Sequence, residues 1–182
     1  TREFLLSLAQ DENENVYVRS SAVAGLAQMG SPDTVPLLVE FFEQKEPLLR
    51  EAAIRGISNF DTEETRKLML QGFKDSNYKV RLEALKTVQK TKQQDAVPFI
   101  LYRAKYDPTE AVKLAAVETL VLLNAPEGNA WLAETFCDTK KSEKLRVAIL
   151  RAALKHNAAV IAGDLDTVVL ATVTDKKYKT LR

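Results

Sequence analysis

The stretch Tyr78–Val88, YKVRLEALKTV, decides the fold. Val80, Ala84, Leu85 and Val88 lie at offsets −1, +3, +4 and +7 from Arg81. Those offsets share one face of an α-helix, so the segment reads as amphipathic and half-buried. The same pattern recurs. Apolar–basic pairs stand at Val18-Arg19, Leu49-Arg50, Val112-Lys113 and Leu145-Arg146, with a partial copy at Tyr178-Lys179. From Arg19 onward the basic residues are spaced 31, 31, 32, 33 and 33 apart. Three positions after the basic residue stand Ala22, Ala53, Ala84, Ala116 and Ile149; four after stand Val23, Ile54, Leu85, Val117 and Leu150. The recurring alanine suits close approach of two helices, because a larger side chain would hold the partner away.

A second apolar-periodic segment precedes each of these helices. The copies are Phe4–Ala9, Val35–Phe42, Arg66–Phe73, Val97–Ala104, Trp131–Cys137 and Leu165–Val173. We call the first helix of each pair A and the second B. Turn chemistry separates the pairs, as in Gly30-Ser31-Pro32-Asp33, Asn59-Phe60-Asp61-Thr62 and Ala125-Pro126-Glu127-Gly128. Thr62 with Thr65 reads as a helix start, and Pro36, Pro47, Pro98 and Pro108 lie at or just before helix starts, where a missing N–H costs little. One pair cannot bury its apolar face alone, whereas stacked pairs can. The expectation is an all-α solenoid, a right-handed superhelix of stacked antiparallel helix pairs. It forms a single array over 1–182, with units near 1–30, 31–61, 62–93, 94–125, 126–159 and a truncated sixth at 160–182.

The pattern Val35-Pro36-x-Leu38, a polar loop, then Val/Leu-Arg-x-x-Ala-Val/Ile-x-x-Leu/Ile resembles the HEAT repeat, closest to the short bacterial variety found in phycobilisome lyases. The resemblance implies a scaffold whose B helices line a concave face. It also implies a ladder in which an Asp before helix B and the Arg at its start hold adjacent repeats together. On that basis Asp75–Arg81 and Asp107–Lys113 are struts, Arg19, Arg50 and Arg146 belong to the same frame, and Asn13 and Gln44 are weaker acceptors. Lys140 replaces the acid in the fifth unit, with Asp138 two residues earlier, so that loop must differ.

Offsets +1, +5 and +9 point away from the core face and supply the candidate partner surface. From the third unit they bring Leu82, Lys86, Lys90, Leu114, Glu118, Leu122, Val147, Arg151 and Lys155 together as an apolar strip rimmed by charge. Such a strip suits a peptide or helix of another protein. The competing assignment places the +1 residues at the helix edge, packed against the next unit.

Bulk composition narrows the function classes. The formal charge is +1, with no overall bias toward nucleic acid or membrane. From Lys140 onward ten Lys/Arg stand against four Asp/Glu, so that end is basic. The lone Cys137 allows no internal disulfide and fits a reducing, cytoplasmic setting, although an extracytoplasmic one stays open. No apolar run reaches the ~18 residues of a membrane span. The chain starts directly in an A helix and stops in the first turn of a B helix, which reads as a piece of a longer array. No catalytic residues, cofactor or metal site are assigned: His156 is the only histidine and no ligand spacing recurs. His156 is expected at helix-end carbonyls, Cys137 in a buried position, and Trp131 in packing. The expected function is a non-enzymatic protein-interaction scaffold. Nucleic-acid binding of the HEAT-like DNA glycosylase type and bilin-lyase-like binding of a small molecule are the alternatives. Partner identity and oligomeric state are not encoded in any motif.

Overall fold

The computed structural model describes residues 1–163. Those residues contain ten α-helices and no strand. The chain forms two compact units, Thr1–Thr91 and Lys92–Arg182. The sixth repeat's expected A helix and its Tyr178-Lys179 pair lie outside the described residues.

The first unit holds three helix pairs: α1 (Arg2–Gln10) with α2 (Val16–Gln28), α3 (Thr34–Phe42) with α4 (Pro47–Gly56), and α5 (Glu63–Gly72) with α6 (Tyr78–Thr91). The second holds α7 (Val97–Tyr106) with α8 (Glu110–Leu123), and α9 (Pro126–Cys137) with α10 (Glu143–His156). Within the first unit α2 packs on α4 and α4 on α6; within the second α8 packs on α10. B helices therefore stack on B helices, as the alanine column requires. Ala53, Ala84 and Ala116 are fully buried, and Ile149 takes the same buried place in α10.

The core face follows the periodicity. Leu49, Val80 and Val112 at −1, Ile54, Leu85 and Val117 at +4, and Val88, Leu120 and Ala153 at +7 are all closed to solvent. Val18, the −1 residue of α2, is exposed. Phe73 at the end of α5 and Leu132 and Phe136 of α9 are closed to solvent as well.

Local chemistry sets the helix ends. At α5, the Thr62 hydroxyl accepts from the Thr65 N–H at 3.2 Å and the Thr65 hydroxyl accepts from the Thr62 N–H at 3.1 Å. This reciprocal pair satisfies two orphan donors of the first turn. Helix α9 corrects the sequence reading: Ala125–Gly128 was expected as a turn, yet the helix begins at Pro126. Proline's fixed φ suits the first helical position, and the turn is made by Asn124 instead, left-handed at φ 51°. Gly30 plays that part after α2, at φ +68°. Gly56 serves another need. A Cβ there would stand 2.8 Å from Ala27 Cβ and 2.9 Å from Leu38 Cδ2, so glycine lets α4 lie tightly against α2 and α3.

Candidate functional site

The arginines that open α2, α4, α6 and α10 are frame, not free surface. Arg50 is the fullest case. Its Nε and Nη2 donate to the two oxygens of Asp75 at 2.7 and 3.0 Å, and Nη1 donates to the carbonyls of Gln44 and Lys45. The hydrogen bond that Arg50 donates to the Asp75 carboxylate raises the Arg50 pKa further, opposed by burial. One planar fork thus satisfies its own A–B loop and clasps the loop of the next repeat.

This corrects the expected pairing. Asp75 was assigned to Arg81, in its own repeat. Instead Arg81 takes the backbone carbonyls of Asp75 and Ser76 at 2.8 and 3.0 Å, while the Asp75 carboxylate turns to the preceding repeat. The cause is local. Asp75 Oδ1 accepts from the Asn77 N–H at 2.7 Å, which orients the carboxylate across its own loop and presents it to Arg50. The Asp107–Lys113 strut does not form either. Asp107 is fully buried and reaches Arg103 at 3.4 Å and the Thr109 N–H at 2.9 Å. The Lys113 side chain makes no hydrogen bond or ion pair among the described residues. Nor is Asn13 an acceptor in the ladder: it is exposed and donates its N–H to Asp11, and the group of Gln44 that is used is its carbonyl.

Arg19 and Arg146 show a second anchoring mode. Each sends Nε ten residues back to a carbonyl at the end of helix A, Ala9 at 3.0 Å and Phe136 at 2.7 Å. Both sit above loops whose Asp lies eight residues before the arginine, Asp11 and Asp138. The fifth loop does differ as its sequence suggests, and it shares that difference with the first.

The candidate partner residues divide. Leu82, Leu114 and Leu122 are half-buried, and Val147 is 8% exposed. Val147 was assigned to an exposed strip; it is instead mostly packed away, because +1 lies at the edge of the core face. Most of the charges are engaged within the fold. Lys86 pairs with the buried Glu83 at 3.1 Å, beside Arg55. Lys90 donates to Ser58 and Asn59 of the preceding repeat. Glu118 of α8 accepts from Lys155 at 2.8 Å and lies 2.9 Å from His156 Nε2, both on α10. Those hydrogen bonds, Lys155's first, hold the Glu118 carboxyl below the ordinary glutamate value. His156 therefore contacts a neighbouring repeat's carboxylate instead of helix-end carbonyls. Arg151 stands apart: it is exposed and has no side-chain partner among the described residues.

Two grooves result in the second unit. One, of about 360 Å3, lies between α8 and α10 and is lined by Leu114, Glu143, Lys144, Val147, Ala148 and Arg151. The other, of about 430 Å3, lies at the A–B loops of the same two repeats and contains Lys113 and Trp131. Arg151's lack of a partner and the groove around Lys113 left no trace in spacing, because both depend on which neighbours fail to arrive. Among the described residues there is no group of three His, Cys, Asp or Glu able to hold a metal ion. No helix among them is long and apolar enough to cross a membrane. Cys137 is in no disulfide among the described residues and is half-buried, where a buried position was expected.

Stacked two-helix repeats with a buried alanine column and an inter-repeat Arg–Asp clasp define a helical repeat protein. The chain belongs to the Spirochaete HEAT repeat protein family, whose model matches residues 1–182. A search of curated proteins gives no match.

Proposed function

We propose that the chain is a non-enzymatic interaction scaffold, and that the groove between α8 and α10 receives a peptide or helix of another protein. The observation that carries this is the combination of an apolar floor with one uncommitted cation. Leu114, Val147 and Ala148 supply the floor, and Arg151 stands at the rim with no partner of its own. An apolar side chain of the partner would fill the floor and a carboxylate would meet the Arg151 fork. Leu122, further along α8, extends the apolar edge, while Glu118 and Lys155 serve as its internal brace. In the first unit Leu82 carries the same proposal. Lys86 and Lys90 there act first as links within the fold and contribute through their aliphatic stems. Along this face Arg151 alone of the four candidate cations is uncommitted among the described residues, whereas lengthwise phosphate contact needs several, so the face suits protein better than nucleic acid.

The test is affinity capture with the purified chain against a Leu114→Ser/Arg151→Glu variant of unchanged helical circular dichroism. A defined protein that binds the wild type directly, and loses at least about tenfold in affinity with the variant, supports the reading. Equal binding by both excludes the groove as the contact.

A further inference from the structure

One pair with the spacing of the Arg50–Asp75 clasp stays open, and a groove lies there. Arg50 and Asp75 lie 25 residues apart, and Lys113 and Asp138 stand in the same relation. Arginine closes the first pair by a two-pronged contact. Lysine, a single point charge, does not close the second: Asp138 Oδ1 accepts from the Lys140 N–H, and Lys113 makes no ion pair among the described residues. Around the vacant rung lies the groove of about 430 Å3, at the loops joining α7 to α8 and α9 to α10.

Its lining has a definite chemistry. Trp131 and Tyr106 give it aromatic walls, and Lys105, Lys113 and Lys141 bring three ammonium groups. Lys105 stands 5.7 Å over the Trp131 ring, and none of the three lysines has a carboxylate partner among the described residues. Of the three acids on the lining, Glu110 is neutralised by Lys144 at 3.3 Å and Asp138 is partly committed to its own loop; Glu134 stands unpaired. The uncommitted charge is therefore weighted toward cations, beside flat apolar surface.

We propose that this groove is a second docking point, which takes a peptide segment carrying carboxylates next to an aromatic side chain. The ring would stack beside Trp131 and Tyr106, and a carboxylate would meet Lys113 in the place left by the missing clasp. The site lies at the loop ends of the helices, apart from the Arg151 groove, and does not depend on that groove being occupied.

Trp131 is the only tryptophan, so its fluorescence reports this groove alone. The probe is an end-blocked Glu-Glu-Phe-Glu-Glu peptide titrated into the whole chain, with Gln-Gln-Phe-Gln-Gln as control. The expected result is a saturable change with the acidic peptide only, weakening as salt is raised. Lys113→Glu and Lys141→Glu should each weaken it about tenfold with unchanged circular dichroism, and Arg151→Glu should leave it unchanged. Absence of a saturable change, an equal response to the glutamine peptide, or loss with Arg151→Glu but not with Lys113→Glu overturns the proposal.

Discussion

Asp75 accepts from Arg50 of one repeat and from the Asn77 N–H of its own loop, with only 5% of its side chain exposed. Removing it would leave a largely buried guanidinium facing no carboxylate. Asp75→Ala should therefore cost ~3 kcal/mol, read from urea unfolding, which is more than one exposed ion pair could contribute. Replacing both partners, Arg50→Met with Asp75→Leu, should recover part of that loss, because no charge is then stranded. Equal instability of the single and double variants would show that loop geometry, not the charge, is what Asp75 supplies. Gly56 tests packing in place of charge. With Ala27 Cβ and Leu38 Cδ2 already within 3 Å of a built Cβ, Gly56→Val should destabilise by ~2–3 kcal/mol despite valine's lower backbone entropy cost. Thermal unfolding of the variant measures it.

Between helices, the face of each B helix was legible and its cross-repeat partners were not. Offsets −1, +3, +4 and +7 from Arg81 predict the buried residues of α6 because helical periodicity acts within one segment. The partner of Asp75 depends on how one loop meets the next, and spacing along the chain places Arg81 nearer in sequence than Arg50. Val147 was misplaced for a related reason: a +1 residue is core or surface according to the neighbouring repeat, not its own helix. The open rung at Lys113 yields a prediction at this scale. Lys113→Arg restores the fork that clasps Asp75 elsewhere, so it should raise the thermal midpoint by roughly 2 °C, equivalent to ~0.5–1 kcal/mol in a partly exposed site. Asp138→Asn in the same background should abolish the gain. The brace between α8 and α10 gives a pH-dependent counterpart. The Glu118 pKa is lowered, chiefly by the hydrogen bond from Lys155. A depressed carboxylate stabilises the fold above its unfolded value and loses that contribution as pH falls through the folded value. Glu118→Gln should therefore be modestly less stable than wild type at neutral pH, the side chain being 37% exposed, and the two stability curves should converge as pH drops below 4.5.

Over the whole chain, the sequence repeats every 31 to 33 residues, and each helix pair depends on its neighbours for a buried face. Stability in such a chain is a sum of local terms plus nearest-neighbour interfaces, so damage should stay near its source. Leu132, fully buried on α9, offers the cleanest site for this test. Leu132→Ala removes core volume without touching a charge and should cost ~3 kcal/mol. Its neighbours are α10, α8 and α7, the helices against which α9 packs. Hydrogen exchange followed by mass spectrometry should show faster exchange in α9 and α10, a smaller change in α8, and none in α2 or α4. Those last two helices rest on Leu26, Leu49 and Ile54, all closed to solvent within the first compact unit. Uniform acceleration from α2 to α10 would instead mean that the chain unfolds as one cooperative block, and the additive description would fail. A local response would also license the groove variants as clean probes, since Lys113→Glu or Arg151→Glu could then alter its own repeat without loosening the first unit.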